Sequence, residues 1–84
     1  MSEELQRAIE SFCCLIPESK IGNYSPNSND DRRLKNIYDT AIANNEDISP
    51  CDIIICLKKW HPDINEEYII ECGDTAFRYM IDQQ

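Results

Sequence analysis

Ile64-Asn65-Glu66-Glu67-Tyr68-Ile69-Ile70-Glu71-Cys72-Gly73-Asp74-Thr75-Ala76-Phe77-Arg78-Tyr79-Met80-Ile81-Asp82 admits two readings, and the choice between them sets the fold. Glu71-Cys72-Gly73-Asp74-Thr75 reads as a two-residue Gly-Asp hairpin turn, with Tyr68, Ile70, Phe77 and Tyr79 paired across it. In that hairpin Glu71 and Arg78 would share a face with Ile69 and Met80. Wound at about 100° per residue instead, Glu67, Glu71, Asp74, Arg78 and Asp82 fall into one narrow polar arc. Ile69, Ile70, Cys72, Ala76, Phe77, Met80 and Ile81 fill the rest. Asp63 and Glu66 fit a capping box ahead of it. The pattern predicts a helix over 64–82. Gly73 then costs about 1 kcal/mol relative to Ala, and a close helix crossing at that point would explain it.

Working backwards, Ser49-Pro50-Cys51-Asp52 is a strong start signal, with a capping serine, proline at the first helical position and an acid three residues after the cap. The body that follows, Ile53-Ile54-Ile55-Cys56-Leu57, is apolar nearly all round and predicts the most buried helix of the fold. Lys58-Lys59 suits the negative end of the helix dipole. Upstream, Leu34, Ile37, Tyr38, Ala41 and Ile42 form one stripe. That helix starts near Ser28 or Asn29, has Asp30 and Asp31 in its first turn, and ends at Asn44-Asn45.

The first helix spans 2–16. Ser2 is its cap, Glu3 and Glu4 lie in its first turn, and Leu5, Ala8, Ile9, Phe12, Cys13 and Ile16 make its apolar stripe. Cys14 falls on the opposite face, and Pro17 stops the helix. Residues 17–28 carry Pro17, Gly22 and Pro26 and no periodicity, which predicts a loop pinned by Ile21 and Tyr24; loops of about 12 residues or more are uncommon in compact domains. The expected fold is all-α, a compact four-helix single domain over 1–84 with a long loop between the first two helices. Short later connections favour antiparallel neighbours for the second and third helices and for the third and fourth.

Eighty-four residues with 42% apolar content suffice for one small core. Sixteen acidic residues against eight basic ones leave a net charge of −8, which argues against direct nucleic-acid binding, because phosphate is repelled. No apolar run approaches the roughly 18 residues of a membrane span. The beginning, Met1-Ser2-Glu3-Glu4, has neither the basic nor the apolar region of a secretory signal. Together with the odd number of cysteines (Cys13, Cys14, Cys51, Cys56, Cys72), this predicts a reducing cytoplasm and thiols that are mostly small buried hydrophobes, with Cys14 the most exposed.

His61, the single histidine, would need a nucleophile such as Cys14 or Cys51 beside it for catalysis; the expectation is that it closes a helix and bonds its last carbonyls. A zinc site from Cys51, Cys56, His61 and Cys72 fails on spacing, since five residues turn side chains about 140° apart on a helix. Asn27-Ser28-Asn29-Asp30-Asp31 lacks the glycine and closing glutamate of a calcium loop. In size, acidity, helices and long first loop the chain resembles the acyl carrier proteins in gross outline; that family needs an Asp-Ser-Leu at the start of its second helix to take a phosphopantetheine arm, and Asp30-Asp31-Arg32-Arg33-Leu34 has no serine, which excludes the resemblance. A helix-turn-helix would present Arg, Asn or Gln to base edges, where the third helix offers isoleucines. The expectation is therefore no enzyme, no cofactor and no metal.

The acidic surface remains. Glu67, Glu71 and Asp74 form a ridge, Asp30 and Asp31 mark the second helix, and Glu46 and Asp47 lie in the next connection. Tyr24 and Trp60 are the available aromatic anchors. These nine residues are the candidate partner-binding set. The expected function is a small acidic binding protein that neutralises a basic protein partner, in the manner of an immunity or antitoxin-type inhibitor of a nuclease toxin. Two alternatives share parts of this pattern: a chaperone or adaptor that takes a partner's apolar helix, and a phage-type inhibitor that mimics nucleic acid.

Overall fold

Each helix expected from the sequence is present, and side chains bind backbone groups at each start. The computed structural model describes residues 2–82. Helix α1 (Glu3–Leu15) begins with Ser2 Oγ accepting from the Leu5 N–H at 3.2 Å. Helix α3 (Ser28–Ala43) has Asn27 Oδ1 accepting from the N–H groups of Asn29 and Asp30, while Asp30 Oδ2 accepts from the Asn27 N–H. Helix α4 (Pro50–Trp60) starts with the Ser49 N–H donating to Asp52 Oδ2 at 2.9 Å. Helix α5 (Glu66–Asp82) starts two residues later than expected. Asn65 supplies its cap, accepting from the Glu67 N–H at 3.0 Å, where Asp63 had been expected.

The stretch expected to be a loop over 17–28 contains a further single-turn helix, α2 (Glu18–Ile21). Its Ile21 is buried and Tyr24 packs on the core, edge-on to Phe12 with ring centroids 6.2 Å apart. Among the described residues the architecture is all-α with five helices, four of them long.

The helices form a four-sided arrangement. α1 packs against α3 and α4, and α5 packs against the same two from the other side, with α2 also against α5. α4 and α5 run antiparallel: Lys58 Nζ meets Glu66 Oε1 at 3.0 Å near their joined ends, and Ile54 lies against Gly73 further along. This matches the neighbour relation expected of them. The other expected pair is overturned. Among the described residues α3 and α4, although joined by a short connection, do not pack as neighbours and lie diagonally across the bundle. The connection explains why. Asn45 adopts the left-handed conformation (φ 53°), and the Glu46 and Asn45 N–H groups close onto the Ala41 and Ile42 carbonyls in the terminating motif that glycine or asparagine favours. Glu46 then reaches the start of α1, its Oε1 accepting from the Ser2 N–H at 2.6 Å. The chain thus crosses the end of α1, which takes the place beside α3.

The core draws on all five helices, from Leu5, Ile9 and Phe12 through Ile21, Leu34, Ile37, Ile53 and Leu57 to Ile69 and Met80. The radius of gyration is 11.7 Å, as expected at about 12 Å for this length. Helix α4 is not the most buried. Ile53, Cys56 and Leu57 face inwards, but Ile55 is 68% exposed, because α4 packs on α1 and α5 and the face that carries Ile55 meets neither. Ile42, expected in the α3 stripe, is exposed near the end of that helix. Cys13, Cys56 and Cys72 are buried, Cys14 and Cys51 are exposed, and all five are free thiols.

Candidate functional site

The nine candidate residues divide by what their side chains already hold. Asp30 is 6% exposed, and its Oδ2 accepts from both the Asn27 N–H and the Tyr24 hydroxyl (3.0 Å). Burial and the neighbouring Asp30 push the Tyr24 phenol well above its ordinary value. Asp31 accepts from the Tyr79 hydroxyl of α5. Glu46 completes the α1 cap: Ser2 has no acid three residues on to bond its N–H, and Glu46 does so from another part of the chain, its Oε2 buried without a partner among the described residues. These four residues join the α2–α3 region and the α3–α4 connection to the bundle.

The other five are on the surface. Asp47 lies in the α3–α4 connection and Trp60, 45% exposed, ends α4. Glu67 and Glu71 are exposed on α5 and have no ion-pair partner among the described residues; Asp74, on the same arc, pairs with Arg78 at 3.1 Å. The structure therefore brings Glu67, Glu71 and Asp74 together and leaves Asp47 and Trp60 on other parts of the surface. Helix α5 carries five carboxylates (Glu66, Glu67, Glu71, Asp74, Asp82) against the single cation Arg78, a net −4 that is half of the chain's −8.

Beside this ridge lies an apolar strip. Ile70 is 45% and Ile81 43% exposed, with half-buried Phe77 between them. The legible signal was the width of the apolar arc of α5. It covers about half the helix circumference, where a core-facing stripe needs little more than about 100°.

His61 closes α4 through its backbone N–H, which donates to the Leu57 carbonyl. Its side chain does something else. The buried ring sets Nε2 at 2.9 Å from the Cys13 carbonyl of α1. That carbonyl would bond the N–H four residues on, which is Pro17 and has none. The ring thus satisfies a neighbouring helix rather than its own. Nδ1 is buried without a hydrogen bond among the described residues, and Glu18 Oε1 is 3.7 Å away.

Among the described residues no three His, Cys, Asp or Glu side chains converge as metal ligands, and no helix is long and apolar enough to cross a membrane. A shallow cavity of about 290 Å³ lies at the start of α3, lined by Ser28, Asn29, Arg32 and Arg33. Compared with known proteins, the chain matches no family model, no curated protein and no solved structure.

Proposed function

We propose that this chain is a small acidic binding protein that neutralises a basic protein partner by covering its positive site. The observation that carries the reading is the α5 ridge: Glu67 and Glu71, exposed and unneutralised, stand beside Asp74 on a helix holding half of the net charge. Such a face accelerates encounter with a cationic surface, to about 10⁸ M⁻¹s⁻¹ or more at low salt when the charges are complementary. Its setting on a 17-residue helix anchored in the core by Ile69, Cys72, Ala76 and Met80 keeps the carboxylates in fixed register. An immunity or antitoxin-type inhibitor acting on a nuclease toxin in the cytoplasm is the most specific form of this reading, because a nuclease must present a positive surface to its phosphate substrate.

The test is capture of partners from host lysate at low salt, followed by a high-salt wash. A basic protein released by salt, whose nuclease activity falls on adding the chain back, supports the proposal. A partner that stays bound at high salt refutes it. Glu67→Lys, Glu71→Lys and Asp74→Lys together are expected to slow association with that partner severalfold, and an unchanged on-rate removes this face from the interface.

A further inference from the structure

The acidic ridge has an apolar border that a purely electrostatic surface does not need. Ile70, Phe77 and Ile81 follow one another at i, i+7 and i+11 along α5, on the flank turned towards α4. Ile54 of α4 sits against Gly73, between Ile70 and Phe77. Ile55, the next residue, stands on the outer side of α4 at 68% exposure. Monomeric proteins expose single apolar side chains routinely, whereas a row of them along one helix flank, bordered by unpaired carboxylates, offers a partner an apolar footing. We propose that the α4–α5 seam is a docking surface for a basic amphipathic helix of the partner. The helix lays its apolar stripe along Ile70, Phe77 and Ile81, and its lysines or arginines reach Glu67, Glu71 and Asp74 on the adjoining arc.

Charge decides the occupant. A second copy of this chain docked on the same face would bring two α5 helices together, each with a net charge of −4, and like charges at close range cost association energy. An anionic lipid surface meets the same repulsion. A helix with an apolar stripe and cationic flank satisfies both halves of the surface at once, in the helix-in-groove mode of recognition. The seam has the length for it: α5 has 17 residues, about 25 Å at 1.5 Å per residue.

This inference rests on the acidic-binder reading and adds the partner's secondary structure and the apolar half of the contact. Its test uses a synthetic peptide of 17 residues, the length of α5, with leucines at i, i+3, i+4 and i+7 and lysines elsewhere. A peptide of the same composition scrambled to remove the helical face serves as control. Titrations are followed by amide chemical shifts, which also show that each variant is folded. The patterned peptide is expected to perturb α4 and α5 and to bind more tightly than the scrambled one. Ile70→Ser with Ile81→Ser should weaken binding about tenfold, and Glu67→Gln with Glu71→Gln about threefold to fivefold. Equal binding of both peptides, or loss with the glutamate pair but not the isoleucine pair, overturns the docking surface while leaving the acidic binder standing. Shifts confined to other helices overturn it in the same way. No binding of either peptide overturns both. Concentration-dependent dimerisation abolished by Ile70→Ser and Ile81→Ser overturns it in favour of a second copy.

Discussion

Gly73 is the most exacting position in the fold, and replacing it by alanine tests the crossing of α4 and α5 directly. In an isolated helix Gly73→Ala would be favourable by about 1 kcal/mol. Here a Cβ at residue 73 would stand 2.4 Å from Ile54 Cγ1 and 3.3 Å from the Ile54 backbone nitrogen. Carbon atoms pack at about 3.5–4.0 Å, so the α4–α5 interface must open by roughly 1 Å. Ile54 gives little room, because its Cγ1 belongs to a β-branched side chain with one strongly preferred helical rotamer. Overpacking of this kind costs about 1–3 kcal/mol. With the cost at the upper end, the net expectation is a loss of about 1–2 kcal/mol, which lowers the melting temperature of a domain this size by roughly 5–15 °C. Thermal and urea denaturation followed by circular dichroism read it directly. Ile54→Ala removes Cγ1, and in that background Gly73→Ala should become neutral or slightly stabilising, a coupling of about 1–2 kcal/mol. Gly22 is the internal control: its φ is −67°, and a Cβ there would meet Tyr68 at an ordinary 3.9 Å, so Gly22→Ala should stabilise by a few tenths of a kcal/mol, up to about 1. A Gly73→Ala variant as stable as the parent, or more so, would refute the steric reasoning.

His61→Ala leaves the Cys13 carbonyl without its ring partner and opens a void, and is expected to cost about 2–3 kcal/mol in urea denaturation; a change below 0.5 kcal/mol, about the level of neutral surface substitutions, would show the bond to be dispensable. Asn45→Ala forces a Cβ-bearing aliphatic residue into a backbone with φ of 53° and should lose about 1 kcal/mol, whereas Asn45→Gly should match or exceed the parent. A thiol reagent at neutral pH should label Cys14 and Cys51 rapidly and Cys13, Cys56 and Cys72 only on unfolding, which mass spectrometry of digested protein resolves. Burial, followed by the nearby Asp30 carboxylate, pushes the Cys72 thiol from 9.0 up to about 12. Folding therefore favours the protonated thiol, so its contribution is complete below pH 9 and is lost as pH rises from 9 towards 12. Denaturation midpoints flat across that window, with Cys72→Ala as reference, would contradict the shift.

The helices themselves were legible because local chemistry specifies them. Ser2, Ser49-Pro50 and the 3.6-residue stripes of α1, α3 and α5 are properties of neighbouring residues, and Gly73 announced a close crossing without naming its partner. The single turn α2 escaped notice because four residues are too few for periodicity to show. What the sequence could not contain was which helices become neighbours. A short α3–α4 connection suggests adjacency, yet Asn45 in the left-handed region and Glu46 bound to Ser2 carry the chain over the end of α1 and place α3 and α4 on a diagonal. The candidate site followed the same division. The acidic arc of α5 is a matter of helical spacing and was readable residue by residue. That Asp30, Asp31, Tyr24 and Glu46 turn to internal bonds, and that Ile70, Ile81 and Ile55 face outwards, depends on which flank of each helix finds a neighbour. Charge and periodicity belong to the chain by itself; burial is a relation between segments distant in sequence, and only packing in three dimensions assigns it.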